Sequence, residues 1–196
     1  MNDNFIFDFC RFYMNNISDE AIQKFNNLLQ KQEIKAGELI KPGDTPYKKF
    51  HIIVHGIIAN YSQDKKANKE YIRAILFEKH AFVNLSDLDL TERISTDSFK
   101  SLTDTVILTG NLNQLLKEAQ QNSELFLFIN KLNQASIYYL QNRLDRLSLL
   151  DATNRYQILK RRIPDIENLI PQYQIASYLN ITPVQLSRIR KKLYSN

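Results

Sequence analysis

The sequence predicts an α+β protein in which a small antiparallel β-structure is followed by a long helix and a basic helical tail. Short β-rich runs separated by turns fill residues 33–109, and the helical period returns from Asn111 onward. The last two predicted helices have the residue pattern of a helix-turn-helix. With 43% apolar and 24% charged residues, the chain has the composition of a globular protein and not of a disordered or fibrous one.

Residues 1–32 are predicted to be helical. Ser18 is a suitable N-cap, and the acidic residues Asp19 and Glu20 fall in the first turn, where they complement the helix dipole. The apolar stripe at helical spacing that follows comprises Ala21, Ile22, Phe25, Leu28 and Leu29.

Residues 33–109 are predicted to form an antiparallel barrel or sandwich. Turn residues at 36–38 and 41–44 interrupt runs that are rich in β-branched and aromatic side chains. The predicted strands are 39–40, 50–54, 57–61, 71–77 and 105–108. Polar residues 63–68 predict an exposed hairpin loop, and residues 84–98 predict a loop with room for a short helix.

The helices predicted after the β-structure are 111–120, 122–150, 152–162, 172–179 and 183–194. The long second helix carries two apolar stripes. The first stripe, which can pack on the barrel, comprises Leu125, Ile129, Leu132 and Tyr139. The second comprises Ile137, Leu140, Leu144 and Leu147. Its 3-4-3 spacing is typical of a two-stranded coiled coil and favours a homodimer, the alternative being an amphipathic helix packed within one chain.

The basic residues are concentrated in the last third of the chain. Residues 136–196 contain 10 basic and 4 acidic residues, whereas residues 1–135 contain 16 basic and 17 acidic ones. No acidic residue follows Glu167. This asymmetry indicates a polyanionic partner for the tail, although a solvated basic helix end has the same pattern.

Residues 171–193 fit a helix-turn-helix at nearly every constrained position. Ala176 is small where two crossing helices approach closely, and Asn180 suits the left-handed backbone of the turn. Thr182 and Gln185 predict a capping box, with Pro183 at the first helical position. A helical hairpin with a basic surface is the alternative.

The exposed face of the second helix carries the side chains that suit DNA. Glutamine and arginine near the N-terminus of such a helix can bond adenine and guanine edges, and the later basic residues suit phosphates. The candidate DNA-contacting residues are Gln172, Thr182, Gln185, Ser187, Arg188, Lys191 and Lys192.

Several segments carry a family resemblance. Residues 35–44 (KAGELIKPGD) look like the opening turns of a β-roll, and residues 50–58, with Gly56, look like its next hairpin. Residues 151–156 look like the start of a DNA-binding domain, and residues 175–179 (IASYL) and 186–189 (LSRI) are the most specific pieces. From about Gln32 to Leu193, the chain resembles the Crp/Fnr family of transcription regulators.

The resemblance implies an N-terminal antiparallel β-roll (double-stranded β-helix, cupin-like) with flanking helices, a long dimerisation helix and a C-terminal winged-helix-type helix-turn-helix domain. The implied domains are 1–121 (sensor), 122–150 (dimerisation helix) and 151–196 (DNA binding). The β-hairpin that often follows the recognition helix in the family is not expected here, because few residues follow that helix.

The function implied is that of a sequence-specific regulator that binds an inverted repeat as a homodimer. In the family, the arginine at the place of Arg188 typically contacts a guanine. Pro183 and Val184 occupy places where the family often has arginine and glutamate, so its base preference is not carried over. Expected partners are double-stranded DNA, a second copy of the chain, RNA polymerase and a small-molecule effector of unknown identity. The alternative is a small-molecule sensor whose helix-turn-helix does not act on specific DNA.

Cyclic AMP is not the expected effector. Cyclic-AMP-binding members of the family hold the ribose with a Gly-Glu pair and the phosphate with a following arginine. Here residues 82–86 read FVNLS, and Ser95 stands at the place of the arginine, with Arg93 two residues away. A buried phosphate without a matched cation would be costly, so tight binding is not expected.

No metal or other cofactor is predicted. Cys10 alone cannot ligate an iron–sulfur cluster and is expected to be a small buried hydrophobe. His51 and His55 are expected on one face of a strand, about 13 Å apart, which is too far for one metal ion. A single histidine or cysteine can serve as an axial ligand of a haem, but no pattern in the sequence marks such a site.

An enzyme is not predicted, because no nucleophile elbow, P-loop, metal-ligand cluster or paired-carboxylate motif occurs. The sequence has no run of about 20 apolar residues, so no membrane partner is expected. The acidic N-terminal segment is unlike a secretory signal, and a single cysteine suits a reducing compartment. The expected location is the cytoplasm.

Overall fold

The computed structural model describes residues 3–41, 48–64, 69–83 and 97–194. The helices are α1 (Asp3–Tyr13), α2 (Asp19–Asn26), α3 (Leu112–Gln121), α4 (Ser123–Leu149), α5 (Ala152–Arg162), α6 (Ile166–Leu169), α7 (Gln172–Tyr178) and α8 (Pro183–Tyr194). The strands are β1 (Leu29–Ile34), β2 (Leu39–Lys41), β3 (Lys49–His55), β4 (Ile58–Asp64), β5 (Lys69–Leu76), β6 (Ala81–Val83), β7 (Ser98–Ser101) and β8 (Thr105–Asn111).

The strands form two antiparallel four-stranded sheets that face each other as a β-roll. The strand orders are β1-β8-β3-β6 and β2-β7-β4-β5. Apolar side chains from both sheets fill the space between them. They comprise Ile40, Ile53, Ile58, Leu76, Phe82, Phe99 and Ile107. The predicted α+β class with an antiparallel roll is therefore confirmed.

Helices cover the outer face of the first sheet. The ring of Phe128 at the start of α4 lies 6.1 Å from that of Phe9 on α1 and 5.2 Å from that of Phe25 on α2. Leu125 is fully buried in the same cluster, which confirms that the first stripe of the long helix packs on the roll. Cys10 is also fully buried there, and burial raises the pKa of its thiol to about 12, as expected for an inert hydrophobe.

The N-terminal helical prediction is wrong beyond α2. Residues 29–34 form strand β1, which pairs with β8 from Leu29 opposite Gly110 to Ile34 opposite Thr105. Strand pairing with a distant segment overrides the helical spacing of Leu28 and Leu29. Strands β6 and β7 were also not predicted, whereas the five predicted strands are confirmed with ends that differ by at most three residues.

Several predicted loops lie outside the described residues. These are residues 42–44 of the second turn, residues 65–68 of the hairpin loop and residues 84–96, which include Arg93 and Ser95.

The two histidines of β3 do not share an environment. A register shift between Ile53 and His55 breaks the alternation of the strand, so the prediction that His51 and His55 share a face is wrong. His51 is buried, with Nδ1 2.9 Å from Thr109 Oγ1, and burial lowers the pKa of its imidazole to about 3. His55 is exposed, and its Nδ1 lies 2.7 Å from Glu78 Oε1. Among the described residues, no three His, Cys, Asp or Glu side chains could hold one metal ion.

The C-terminal helices cover the outer face of the second sheet. Ala59, Ile72 and Ile75 share one apolar cluster with Tyr156 of α5 and Ile175 of α7. The predicted helices after the roll are confirmed within one residue, and the short α6 is additional. Residues 151–194 contain no strand, so the helix-turn-helix has no wing in this part of the chain. The division into domains at 121 and 150 remains a prediction.

Gly56 and Gly37 both adopt left-handed backbones but differ in surroundings. A Cβ at Gly56 (φ +104°) would lie 2.3 Å from Thr105 Oγ1, which Ser101 Oγ holds by a hydrogen bond of 2.6 Å. A Cβ at Gly37 (φ +87°) would meet nothing within 4 Å.

Gly37→Ala is therefore expected to lower the free energy of unfolding by about 1–2 kcal/mol, from backbone strain alone. Gly56→Ala adds steric overlap with Thr105 and is expected to cost about 1–3 kcal/mol more. Urea unfolding of both variants measures the difference. Equal losses would contradict the close packing of Gly56 against Thr105.

Candidate nucleic-acid interface

The turn between α7 and α8 has the hydrogen bonds of a Schellman motif. Asn180 adopts a left-handed backbone with φ 54°, as its place in the sequence predicted. Its N–H donates to the Ser177 carbonyl at 3.0 Å, and the N–H of Ile181 donates to the Ala176 carbonyl at 3.0 Å. This closure ends α7 and turns the chain directly into α8.

The predicted capping box at the start of α8 is present. Gln185 N donates to Thr182 Oγ1 at 3.2 Å, and Thr182 N donates to Gln185 Oε1 at 2.9 Å. The capping box engages the side-chain amide oxygen, Oε1, of Gln185. A bidentate adenine contact uses both ends of a glutamine amide, so Gln185 would have to leave the cap to make one.

The two helices bury one face and expose the other. Ile175, Ala176, Leu179 and Leu186 are buried between them, as their spacing predicted. The predicted DNA-contacting residues all lie exposed, and they comprise Gln172, Thr182, Gln185, Ser187, Arg188, Lys191 and Lys192. The structure thus brings the α8 members together on one solvent-facing side, with Gln172 at the start of α7.

Glu167 of α6, the last acidic residue of the sequence, forms an ion pair with Arg190 of α8. Its carboxylate accepts a hydrogen bond from the Tyr156 hydroxyl and lies 2.7 Å from Arg190 Nε and 3.3 Å from Lys160 Nζ. Burial alone would raise the pKa of Glu167, but the Tyr156 hydrogen bond and the charges of Arg190 and Lys160 hold it below its usual value. Arg190 is therefore neutralised inside the domain and does not belong to the exposed basic face.

Glu167→Gln is expected to lower the free energy of unfolding by about 1–2 kcal/mol at neutral pH, because two cations lose their partner. The lowered pKa means that this stabilisation is present above the ordinary glutamate pKa of 4.5 and is lost as the pH falls through the folded-state value. Urea unfolding of wild type and variant from pH 7 down to pH 3 measures both effects. The exposed Asp165→Asn is the matched control, and a loss that persists unchanged in acid would contradict the ion-pair assignment.

Val184 is an exposed apolar residue that the sequence analysis did not assign to the site. Its side chain is 60% exposed in the first turn of α8, on the same side as Arg188 one turn later. The signal in the sequence was its helical phase, because Val184 lies on the opposite side of α8 from the buried Leu186 and the partly buried Ile189 and Leu193. An apolar side chain at this place can contact a thymine methyl group.

Two arginines attach the helix-turn-helix to the long helix and the roll. Arg143 of α4 donates to the carbonyls of Arg73 on β5, at 3.1 Å, and of Tyr178 at the end of α7. Arg155 of α5 donates to the carbonyl of Leu179 at 3.1 Å. Both cations lie at the C-terminal end of α7, where the helix dipole favours positive charge. The orientation of the helix-turn-helix is thus set by contacts with both α4 and β5.

The second stripe of the long helix is uncovered. Ile137, Leu140 and Leu144 are 56%, 52% and 63% exposed, and Leu147 is partly buried. Exposed apolar side chains at coiled-coil spacing are unfavourable in water unless a partner covers them. Among the described residues, no helix is long and apolar enough to cross a membrane.

No protein-family model and no curated protein matches the sequence. Solved structures do match. FixK2 from Bradyrhizobium japonicum is 17% identical, with a TM-score of 0.66 and coverage of 85% of this chain and 85% of that one. A protein described as a transcriptional regulator of the Crp/Fnr family, from Eubacterium rectale, is 14% identical, with a TM-score of 0.71 and coverage of 94% and 88%.

A third similar structure is CLP, a c-di-GMP-responsive global regulator from Xanthomonas campestris. It is 14% identical, with a TM-score of 0.63, and the match covers 91% of this chain and 92% of that one. Similarity over nearly the whole length shows that this chain has the fold of Crp/Fnr regulators, a β-roll joined by a long helix to a helix-turn-helix.

Proposed function

We propose that this protein is a sequence-specific DNA-binding transcription regulator that binds an inverted repeat as a homodimer. The exposed face of α8 carries the proposal. Arg188, Lys191 and Lys192 point away from the core, and among the described residues no carboxylate pairs with them. Glu167 pairs with Arg190, so Arg188, Lys191 and Lys192 remain available for an external polyanion.

The residues divide into those that read bases and those that contact phosphates. Arg188 lies in the N-terminal half of α8, where a recognition helix meets base edges, and its guanidinium suits guanine O6 and N7. Val184 and Ser187 lie beside it. Lys191 and Lys192 follow in the last turn and suit phosphates, as do the exposed polar side chains of Thr182 and Gln172.

The homodimer is supported by the uncovered stripe on α4. Pairing of Ile137, Leu140, Leu144 and Leu147 with the same residues of a second chain would bury the stripe in a parallel two-stranded coiled coil. The two α8 helices would then meet successive major grooves about 34 Å apart along the DNA. A two-fold protein of this kind requires a two-fold site, which is why the proposed site is an inverted repeat.

Selection of bound sequences from a random duplex library, at about 150 mM salt, tests the proposal. We expect enrichment of an inverted repeat whose half-sites are centred about 10 base pairs apart, with affinity that falls steeply as salt rises. Binding no tighter to the enriched sequences than to random DNA would sink the proposal. That result would favour the alternative of a sensor whose helix-turn-helix does not act on specific DNA.

The effector and the polymerase contact belong to the same proposal. The similar fold and the lack of catalytic motifs in the sequence support a regulator rather than an enzyme.

We expect titration calorimetry to show no tight binding of cyclic AMP, because residues 82–86 lack the Gly-Glu pair and Ser95 replaces the arginine. Micromolar affinity for cyclic AMP would contradict this expectation. A direct contact with RNA polymerase is expected to appear as co-purification on the selected DNA.

A further inference from the structure

A cavity of about 200 Å³ lies between the long helix α4 and the helix-turn-helix. Three arginines line it, Arg143 and Arg146 from α4 and Arg162 from the end of α5. Three tyrosine rings share the wall, Tyr138 and Tyr139 from α4 and Tyr178 from α7. We call this site the arginine cavity.

The arginine cavity concentrates positive charge without a carboxylate. Several other cations have acidic partners, as Arg190 and Lys160 have in Glu167 and Arg73 has in Asp97. Among the described residues, no acid forms an ion pair with the three cavity arginines. Like charges held close together repel, so the cluster favours an anion that lies among them.

The three guanidiniums differ in how firmly they are held. Arg143 stacks on the Tyr178 ring at 3.9 Å and is fixed by backbone carbonyls. Arg162 lies 4.8 Å from the centre of the Phe77 ring. The guanidinium of Arg146 has no hydrogen bond or ring contact among the described residues. Two positioned cations and one uncommitted cation can converge on the oxygens of a single phosphate group.

The tyrosines add a preference for a planar ring. Tyr139 is held by its hydroxyl, which donates to the Ile75 carbonyl at 3.0 Å, whereas Tyr138 is largely exposed at the rim. An aromatic ligand can stack on such a ring beside a guanidinium. A volume of about 200 Å³ is below the range of sites for drug-sized ligands and suits one ring with one phosphate, not a dinucleotide.

The arginine cavity is separate from both proposed interfaces. On α4, cavity residues Asn142 and Arg146 lie on the opposite side from Leu140 and Leu144, because two residues along a helix correspond to about 200° of rotation. Dimerisation along the second stripe would leave the cavity open. The exposed face of α8 contributes no lining residue.

We propose that the arginine cavity binds a small phosphate monoester that carries one planar aromatic ring, the chemical class that includes mononucleotides. The phosphate lies among Arg143, Arg146 and Arg162, and the ring lies against Tyr138. Because the walls come from α4, α5 and α7, the bound ligand restrains the helix-turn-helix against the long helix. Binding itself does not depend on the proposed function, whereas its effect on DNA affinity does.

Titration calorimetry of the full chain without DNA tests the site, with phenyl phosphate as the probe. We expect phenyl phosphate to bind at least about tenfold more tightly than inorganic phosphate, and phenol not to bind. Arg146→Ala should weaken phenyl phosphate binding at least about tenfold. Arg161→Ala is the control, because Arg161 is exposed and does not line the cavity. This variant should bind phenyl phosphate as tightly as the wild type does.

Tyr138→Ala is the second variant, chosen because Tyr138 is exposed and contributes little to folding. It should reduce phenyl phosphate affinity to that of inorganic phosphate while inorganic phosphate binding persists. Equal binding of phenyl phosphate to wild type and Arg146→Ala, or equal affinity for both probes, overturns the proposal. A loss of DNA affinity in Arg146→Ala without any probe also overturns it, since the arginines would then be DNA phosphate contacts.

Discussion

Replacing Arg188 by alanine is expected to cost about 1–3 kcal/mol of DNA-binding free energy and to relax specificity at one base pair of each half-site. Arg188 is exposed on α8 and has no acidic partner among the described residues, so its guanidinium is available for a bidentate guanine contact. Competition binding with single-base variants of the selected site, at fixed salt, measures the loss at each position.

Lys192→Ala is the matched control for Arg188→Ala. Lys192 lies in the last turn of α8 and is expected to contact phosphate, so its loss weakens binding by a similar factor on every sequence. The slope of log affinity against log salt should fall by about 1. If Arg188→Ala behaves in this way too, Arg188 is a phosphate contact and the assignment of base reading is wrong.

Replacing Leu144 by aspartate is expected to convert the protein from a dimer to a monomer at micromolar concentration. In the proposed coiled coil Leu144 faces its own copy, so the substitution places two carboxylates together in a seam that excludes water. Affinity for the two-site DNA should fall by about 100-fold or more, because each half-site is then bound independently. Light scattering and DNA titration measure the two effects.

Leu149→Asp is the matched control for the dimer. Leu149 lies on the same helix and is 79% exposed, more than Leu144, but it is outside the second stripe. This variant should remain dimeric and keep its DNA affinity. A wild-type monomer, or a Leu144→Asp variant that stays dimeric, would show that α4 does not form the interface.

Eight of the ten basic residues in the last third of the chain fall into three separate groups. Arg190 of α8 and Lys160 of α5 are neutralised by Glu167 of α6. Arg143, Arg146 and Arg162 line the arginine cavity. Only the remaining cations on the outside of α8 form the proposed DNA-facing surface. A net charge computed from the sequence cannot distinguish these groups, since the distinction depends on which side chains meet in space.

Short-range rules made much of the interface predictable. The cap joins Thr182 to Gln185, and the turn joins Ala176 to Ile181, so each depends on residues at most five positions apart. Helical phase likewise separates the buried Leu186 from the exposed Arg188 without knowledge of any distant contact. These features are encoded locally and could be inferred from residue type and spacing alone.

Long-range contacts decided what the sequence could not. Strand β1 exists because Leu29 and its neighbours pair with β8, 71 to 81 residues later, although the spacing of Leu28 and Leu29 also suits a helix. His55 leaves the face of His51 because of a bulge in β3. The free energy of such pairings depends on which segments meet, and residue spacing carries no record of that.

By itself, the sequence determined the helices that follow the roll, the helix-turn-helix and the apolar stripes of the long helix, because caps, turns and periodicity act within one or two helical turns. Only the tertiary structure decided that Glu167 removes Arg190 from the basic face and that three arginines meet in one cavity. Those arrangements bring together residues from different helices, whose proximity is set by packing against the roll.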